Sequence, residues 1–415
     1  KKREERKALL HCVLGVARLR RWQWRYCINI MSEEIGGPLP LKGLTVLEMG
    51  SSIAGPFAGR IFGDMGATVL KVEPPEVGDA SRTWGQERLG GAAVAFQAFN
   101  RDKRSITVEF TNEDDLARLR RLVAEKVDIV FQNLRPGVVE KFRLDGPSLL
   151  AEKPQLIYCN MGAFGSYGPL KDAPGYDPLI QAFSGIADAT GEADGSAVRV
   201  GVPLIDIGTG MWAAVGILTA LHQRHETGRG CVVDAAMFET ALAWQSLSFA
   251  VHEGGGPWPI RSGLQGPIIV PNGGYRASDG LLLLTIGTPG QFKRFCEVLD
   301  RKDLLEHQDF MHGEGRAANR AAFDETVNDT LQMKTREEWS RMLTAADVPN
   351  APIQNLGEAV DHPQTMASGI YQTSPDGSFR LTGLPLLFNG ERPQFRANAP
   401  ELGEATQEVF AFMEG

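Results

Sequence analysis

Short apolar runs and stretches of helical periodicity alternate in the chain after residue 40. Leu44–Met49 and Ala67–Glu73 are almost continuous apolar runs, which indicate buried strands. Between them, the glycine-rich turn Gly50–Pro56 opens a helix that we expect to reach Asp64. A strand, a helix and a second strand within roughly thirty residues form a βαβ unit with parallel strands. The pattern therefore predicts an α/β fold with a doubly wound sheet.

The same alternation continues to about residue 160. Strand patterns occupy Ile106–Phe110, Val127–Phe131 and Leu156–Cys159, and Asp114–Glu125 carries leucines at helical spacing. The loop Gln132–Gly137 directly follows one of these strands. Ligands of open α/β sheets bind at the carboxyl edge of the strands, so this loop is a candidate binding element.

A second glycine motif follows Val198–Ile207, which we interpret as a strand. Gly208–Ala213 matches the G-x-G-x-x-A form of the dinucleotide fingerprint, and Asp234 could supply the later acid. Pro203 and Asp206 interrupt the run before the motif, which argues against a buried parallel strand. Close packing of a helix through small residues is therefore the favoured interpretation, and nucleotide binding is the alternative.

Glycine and proline concentrate between residues 254 and 280, where a crossing between domains is plausible. Beyond it the pattern predicts one strand and three helices, at Leu281–Ile286, Gln291–Leu299, Arg320–Met333 and Arg336–Ala346. We predict four segments: a basic tail at 1–31, the first part of a large domain at 32–225, a small α+β domain at 226–330, and a return segment at 331–415 that completes the large domain.

Composition sets limits on the partners and the compartment. A chain of 415 residues favours two domains, and its net charge of −8 does not suggest a nucleic-acid or membrane partner. Five cysteines, an odd number without metal-ligand spacing, favour a reducing, cytoplasmic compartment. Residues 1–31 carry nine Lys or Arg, so organellar import stays an alternative, and Met31 is a plausible natural start.

Two further groups of residues could bind ions. His222 and His225 share one helix face, but no third ligand accompanies them, so we expect no metal site. Arg101, Lys103 and Arg104 precede a strand and could bind a phosphate. A solvated surface run is an equally reasonable interpretation of these three cations.

Asp177 stands out in the stretch Ala173–Pro178. It lies between a glycine-containing turn and Pro178, which fixes its own φ and pushes Asp177 out of the helical region. On the local pattern alone, Asp177 is a helix N-cap. The alternative is a reactive carboxylate that projects from a rigid turn.

The motifs together resemble the class III CoA-transferases, also called the carnitine-dehydratase and bile-acid-inducible family. The resemblance covers residues 39–415 and rests on an ordered series of matches. These are Pro40–Gly43, Ala54–Pro56, Gly63–Ala67, Lys71–Glu73, Asn100 with Lys103–Ser105, Gln132–Gly137, Gly165–Pro169, Gly175–Asp177, Tyr275, Ser278–Gly280, Ala399–Pro400 and Leu402–Gly403.

The resemblance implies a large Rossmann-like domain, a smaller domain, and two chains threaded into an interlocked ring homodimer. It implies that Asp177 is the catalytic nucleophile, which attacks an acyl-CoA thioester to form an acyl-aspartyl anhydride. No metal and no permanently bound cofactor is expected, because coenzyme A enters as a substrate. Glycine N–H groups from Gly162–Gly168 or Gly263–Gly274 would stabilise the oxyanion. The implied CoA-binding residues are Ile53, Ala54, Val108, Thr111, Asn133, Leu134, Arg135 and Lys141.

Three alternatives remain beside the transferase. An acyl-CoA racemase of the same superfamily carries a histidine where this chain has Tyr176, and a phenol is a poor base at neutral pH. An NAD-dependent dehydrogenase would use Gly208–Ala213, and a non-catalytic CoA-binding protein would keep the fold alone. We expect acyl-CoA and carboxylate substrates, with a dicarboxylic donor such as succinyl-CoA, and an acceptor that the sequence leaves open.

Overall fold

The computed structural model describes residues 39–266 and 269–414, so the predicted basic tail at 1–31 lies outside the described residues. The strands are β1 (Thr45–Met49), β2 (Thr68–Glu73), β3 (Arg88–Leu89), β4 (Ala92–Ala93), β5 (Lys103–Thr107), β6 (Ile129–Gln132), β7 (Ile157–Gly162), β8 (Val232–Ala236), β9 (Asn272–Ala277), β10 (Gly280–Thr285), β11 (Asn350–Pro352), β12 (Tyr371–Thr373) and β13 (Arg380–Thr382).

The helices, 3-10 turns aside, follow in chain order. They are α1 (Ala54–Asp64), α2 (Val94–Asn100), α3 (Glu113–Lys126), α4 (Val138–Lys141), α5 (Gly146–Glu152), α6 (Asp177–Phe183), α7 (Ile186–Ala189), α8 (Leu204–Thr227), α9 (Met237–Trp244), α10 (Ser246–Glu253), α11 (Pro289–Val298), α12 (Asp303–Glu306), α13 (Gly313–Ala318), α14 (Arg320–Leu331), α15 (Arg336–Ala345), α16 (Leu356–Asp361), α17 (Pro363–Ser368) and α18 (Thr406–Glu414).

A six-stranded parallel sheet in the order β5-β2-β1-β6-β7-β8 organises the main unit. Counted along the chain, this is the order 3-2-1-4-5-6 of a doubly wound sheet, and it reverses between β1 and β6. The predicted α/β class with a parallel sheet is confirmed. The carboxyl ends of β1 and β6 adjoin at the reversal, where ligands of such sheets bind.

Helices cover both faces of this sheet. On one face α3 and α18 pack on a core that includes Leu47, Leu70 and Val130. On the other face α1 and α8 pack on a core that includes Val46 and Phe131. Successive residues of a strand point to opposite faces, so strands buried on both sides read as continuous apolar runs.

Helix α8 replaces the strand that we predicted at Val198–Ile207. Residues 198–203 form no strand, and Leu204–Ile207 are the first turn of a 24-residue helix. This helix is long and apolar enough to cross a membrane by length and composition alone, yet nearly half of its most apolar window is buried. Its contacts with α1, β7 and β8 are those of a core helix in a globular protein.

A second unit has its own hydrophobic core, built from residues between Val270 and Val348 around the antiparallel sheet β11-β10-β9. The main sheet continues to β8, past the predicted boundary at 225, and the second core continues past the predicted boundary at 330. After it the chain returns to the main unit, where Ala405 and Phe410 join the core beside β5.

Candidate active site

The Asp177 carboxylate is buried, with 4% of the residue exposed, and its two oxygens have different partners. Oδ2 accepts hydrogen bonds from the backbone N–H groups of Ile205 at 2.6 Å and Asp206 at 3.1 Å. Oδ1 accepts a hydrogen bond of 2.5 Å from the Gln181 side-chain amide. Three uncharged donors therefore hold one ionisable carboxyl group.

The local structure differs from the N-cap predicted for Asp177. Tyr176 occupies the N-cap of α6 without a side-chain cap, and Asp177 and Pro178 are the first helical residues. Asp177 instead caps the first turn of α8, whose donors lie 28 and 29 positions further along the chain. The carboxylate thus fixes one helix to another rather than opening its own.

Gly175 allows the turn before Asp177 to approach the end of β7. A Cβ atom at Gly175 would lie 2.6 Å from the Ala163 Cβ, a distance that real Cβ atoms do not show. Because φ at Gly175 is not positive, this close approach explains the glycine, and a left-handed backbone does not. The contact sets the Asp177 turn beside the glycine loop Gly162–Gly168.

The first turn of α8 is suited to a negative charge. Its N–H groups have no partners within the helix, and the helix dipole makes this end positive. Asp206 lies in the same turn, and burial together with the Asp177 charge raises the pKa of Asp206 to about 7. One carboxylate occupies the positive end of the helix, and its neighbour gives up its proton less readily.

The turn between β1 and α1 holds the predicted CoA-binding residues Ile53 and Ala54. The Asn133 side chain clamps this turn, because its Oδ1 accepts from the Ser51 N–H at 2.8 Å and its Nδ2 donates to the Ser51 carbonyl at 2.9 Å. Ser52 has a φ of +71°, a conformation that non-glycine residues rarely adopt. The structure thus joins three predicted residues at the reversal of the strand order.

Helix α8 also links this turn to Asp177. A Cβ at Gly210 would lie 2.7 Å from the Ala54 carbonyl oxygen, so α8 touches the start of α1 there. Gly210 is one turn beyond Asp206, a distance of about 6 Å along the helix axis. The Asp177 carboxylate and the start of α1 therefore both contact the first two turns of α8.

The remaining predicted CoA-binding residues spread along the same sheet edge. Val108 follows β5 and is 2% exposed, in a core against which Leu134 also packs. Thr111 is exposed and donates to Glu109, Arg135 is exposed beside Leu134, and the Lys141 ammonium lies 5.0 Å from the Phe142 ring centre. None of these five residues is among the hydrogen-bond partners of Asp177, which are Gln181, Ile205 and Asp206.

The sequence pattern did not predict the buried ion cluster that lies beneath the start of α1. Lys71 forms ion pairs with Glu48 at 2.9 Å and Asp79 at 2.8 Å, and Lys103 pairs with Glu48 at 2.7 Å. All four side chains are nearly or fully inaccessible to solvent. Asp79 Oδ1 also accepts from the Ser52 N–H at 3.2 Å, so the cluster supports the turn that Asn133 clamps.

Charge pairing sets the pKa values in this ion cluster. Burial acts to raise the pKa of Asp79, but the Lys71 ammonium and the hydrogen bonds from Ser81 together outweigh it and lower that pKa to about 2. Burial acts to lower the pKa of Lys71, but Glu48 and Asp79 outweigh it and raise that pKa. Lys103 has one strong partner and a cationic neighbour, and burial lowers the pKa of Lys103 to about 8.

The sequence predicted that Arg101, Lys103 and Arg104 bind a phosphate or face solvent. Two of these three cations are instead buried in ion pairs. Arg101 is fully buried and pairs with Asp64 at 2.7 Å, and Lys103 belongs to the ion cluster. Arg104 is half-buried, and it pairs with Glu408. The charge run is therefore part of the packing between β5, α1 and α18.

The G-x-G-x-x-A motif lies inside α8, with no strand before it. A Cβ at Gly208 would meet Trp244 at 3.0 Å, and Gly210 contacts Ala54, so the prediction of close helix packing is confirmed. Asp234 does not serve the motif, because its Oδ1 accepts from Asn160 and Ser166, each at 2.9 Å. The dinucleotide interpretation lacks the strand–turn–helix context that it requires.

A polar chain crosses the carboxyl ends of β6, β7 and β8. Gln132 accepts from the Leu134 N–H at 2.7 Å and donates to Asn160 at 2.9 Å, and Asn160 donates to Asp234. Ser166 of the glycine loop donates to the same Asp234 oxygen. The loop after β6 and the glycine loop are thus connected side by side.

Within residues 39–266 and 269–414, no group of three or more His, Cys, Asp or Glu residues could hold a metal ion.

Comparisons with known proteins agree on one family. The model of CoA-transferase family III matches residues 41–406. The succinate–glutarate CoA-transferase of Agrobacterium fabrum is 34% identical over 90% of this chain and 96% of its own length. The acetyl-CoA:oxalate CoA-transferase of Acetobacter aceti is 33% identical over 88% of this chain and 93% of its own.

A solved structure extends this agreement to the fold. The crystal structure of a CAIB/BAIF family protein from Brucella suis matches with a TM-score of 0.81 and 35% identity. The match covers 91% of this chain and all of that one. The resemblance found in the sequence is confirmed, and the chain belongs to CoA-transferase family III, the class III CoA-transferases.

Proposed function

We propose that this chain moves CoA from an acyl-CoA to a carboxylic acid through an acyl-aspartyl anhydride at Asp177. The supporting observation is a buried carboxylate whose three hydrogen-bond donors are all uncharged. Among the described residues no ion pair holds these oxygens, so the carboxylate can react with an electrophile without first leaving a cation. Its low exposure would also keep water from an anhydride, which hydrolyses readily.

The chemistry needs only the carboxylate and the two substrates. Attack of Asp177 on the thioester carbon forms a C–O bond, breaks the C–S bond and releases CoA as a thiolate. The acceptor carboxylate takes the acyl group from the anhydride and frees Asp177. The thiolate then attacks the acceptor's carbonyl carbon, which yields the new thioester and the free donor acid. One negative charge enters and one leaves at each step.

We propose that CoA lies along the carboxyl edge of the main sheet. Ile53, Ala54 and Asn133 adjoin the strand reversal and would contact the pantetheine and the nucleotide. Leu134, Arg135, Val108, Thr111 and Lys141 would bind the nucleotide further along the same edge. Val108 is buried, so it would act through its backbone or by packing, while the exposed Arg135 and Lys141 would meet phosphates.

A dicarboxylic donor such as succinyl-CoA is the substrate that we propose first. The name of the relative from A. fabrum supports a dicarboxylic donor, since it specifies succinate and glutarate. The name of the relative from A. aceti pairs acetyl-CoA with oxalate, so it supports a dicarboxylic acid as one of the two substrates. The rival activities have less support. Tyr176 is 59% exposed, and nothing about it suggests the base that a racemase needs. A dehydrogenase would depend on a fingerprint that lies within a helix.

We also propose that the protein is an interlocked homodimer. The chain leaves the main sheet after β8, builds the second unit and returns to the sheet through α18, a closed path that a second chain could thread. Helices α8, α9 and α10 carry half-exposed large apolar side chains, which often mark an interface. They are Met211, Trp212, Val215, Leu242, Trp244, Leu247 and Phe249. Sedimentation should give twice the 45.2 kDa of one chain.

Mass spectrometry of the protein with a panel of acyl-CoAs tests the nucleophile. We expect an acyl adduct on Asp177 that hydroxylamine removes. Asp177→Ala should abolish the adduct and lower transfer by about 10³-fold or more, because the covalent route is lost.

Asp172→Asn is the matched control, since Asp172 is an exposed acid of the same segment. It should keep both the adduct and the transfer activity. Wild-type transfer activity in Asp177→Ala would overturn the proposed function.

A further inference from the structure

Gln181 is fully buried and bridges two segments across the Asp177 site. Its Nε2 donates to Asp177 Oδ1 at 2.5 Å, and its Oε1 accepts from the Val200 N–H at 2.8 Å. It lies one helical turn after Asp177 on α6, so the two side chains share a helix face. Neither role follows from the sequence pattern, in which Gln181 is one polar residue in an apolar run.

The two partners leave the Gln181 amide a single orientation. A flipped amide would set its oxygen against a carboxylate and its NH₂ against a backbone N–H, and both contacts would be repulsive. No water competes at a fully buried amide. Val200 therefore determines that the NH₂ group faces Asp177.

The two oxygens of Asp177 are held with unequal strength. Oδ2 is bound to two backbone N–H groups of the 24-residue helix α8, which cannot move without moving the helix. Oδ1 is bound to one side-chain amide. Oδ1 is thus the oxygen that can leave its partner at lower cost.

We propose that Gln181 is a positioning residue that selects Oδ1 of Asp177 as the attacking oxygen. This inference rests on the proposed function. Oδ1 forms the bond to the acyl carbon as the thioester C–S bond breaks, and CoA leaves as a thiolate. Oδ2 becomes the carbonyl oxygen of the aspartyl half of the anhydride and keeps its two N–H donors in α8. Gln181 directs the lone pairs of Oδ1 until the thioester arrives.

Single-turnover release of CoA, measured without acceptor acid, tests this role. Gln181→Met keeps the size and removes both hydrogen bonds, so CoA release should slow by about 10- to 100-fold, the effect of one hydrogen bond to a charged group. The dissociation constant of free CoA should stay within about twofold, because Gln181 would not touch the nucleotide.

Gln181→Glu supplies a second, independent readout. The introduced carboxyl donates a hydrogen bond only while it is protonated. The ratio of variant to wild-type CoA release should therefore fall as pH rises from 5 to 8, whereas the ratio for Gln181→Met should stay flat. A residue that only packed would give two flat ratios.

Gln245→Met is the matched control. Gln245 is a nearby glutamine whose amide donates to the backbone carbonyls of Ser184 and Ala241 and to no carboxylate. It should release CoA at the wild-type rate. Wild-type rates in both Gln181 variants, with the acyl adduct still on Asp177, would overturn this inference alone. Absence of that adduct in the wild-type protein would overturn the proposed function instead.

Discussion

Two buried acidic sites lie at the carboxyl edge of the same sheet, and their carboxylates are stabilised in different ways. In the ion cluster, Lys71 and Lys103 pair with Glu48 and Asp79. At the other site, Asp177 is held only by neutral donors from α8 and Gln181. The lysines fix Glu48 and Asp79 in ion pairs, so these carboxylates have a structural role. Neutral N–H groups orient Asp177 without an ion pair, so its carboxylate can take part in chemistry.

The two sites adjoin because both are connected to the turn between β1 and α1. The ion cluster supports the turn between β1 and α1 through Asp79, and that turn lies where we propose that CoA binds. The Asp177 site adjoins the same turn through α8. The ion cluster and the Asp177 site therefore meet at the start of α1.

The largest expected effect on stability comes from removing a cation of the cluster. Lys71→Met leaves Glu48 and Asp79 buried with Lys103 alone, so we expect the free energy of unfolding to fall by about 3–5 kcal/mol. Urea denaturation of the variant and the wild type measures this change.

Arg121→Met is the control for that variant. It removes an exposed pair with Glu125 on α3 and should leave the urea midpoint unchanged. If Lys71→Met were as stable as this control, the ion cluster would not have the structural role described above.

Asp206 gives the Asp177 site a characteristic pH dependence. The pKa of Asp206 is about 7 in the folded protein and near 3.8 in the unfolded chain. Between these two pH values the folded state therefore binds a proton that the unfolded state has released. The free energy of unfolding should therefore fall as pH rises from 4 to 7, by about 2–4 kcal/mol from this group. Asp206→Asn should remove that part of the slope in urea denaturation across pH 4 to 8. An unchanged slope would show that the pKa of Asp206 is not raised in the folded protein.

Asp79 should give the ion cluster the opposite dependence, with a smaller effect. Its pKa is about 2 when folded and near 3.8 when unfolded, so its stabilisation is present above pH 4 and is lost as pH falls toward 2. We expect about 2 kcal/mol from this group. Asp79→Asn should be less stable at neutral pH and should lose less on acidification. Thermal unfolding at pH 2 to 5 distinguishes the two sites.

The sequence was most informative where chemistry is local. The βαβ pattern around Gly50–Pro56 predicted the parallel sheet, because apolar runs and a glycine turn determine those elements within a few residues of one another. The resemblance drew attention to Asp177. Its true donors could not be predicted, since Ile205 and Asp206 meet it only after the chain has folded back.

Two errors have the same physical origin. Val198–Ile207 reads as a strand by its apolar residues, but Asp177 supplies the acceptor that lets α8 begin at Leu204. The cations at Arg101 and Lys103 read as a phosphate site or a solvated run, but their carboxylate partners lie on α1 and β1. In both cases a distant partner in the fold, absent from the local pattern, decided the outcome.

Gly210 has a consequence for how this chain can vary. Helix α8 contacts Asp177 at Asp206 and Ala54 at Gly210, one turn further along. Each residue inserted between these two contacts would rotate one of them about the helix axis by about 100° relative to the other. An insertion of a single residue between positions 206 and 210 would therefore misalign the acid and the neighbouring turn, although every side chain discussed above was retained. The distance along this helix is as much a part of the catalyst as the groups at either end.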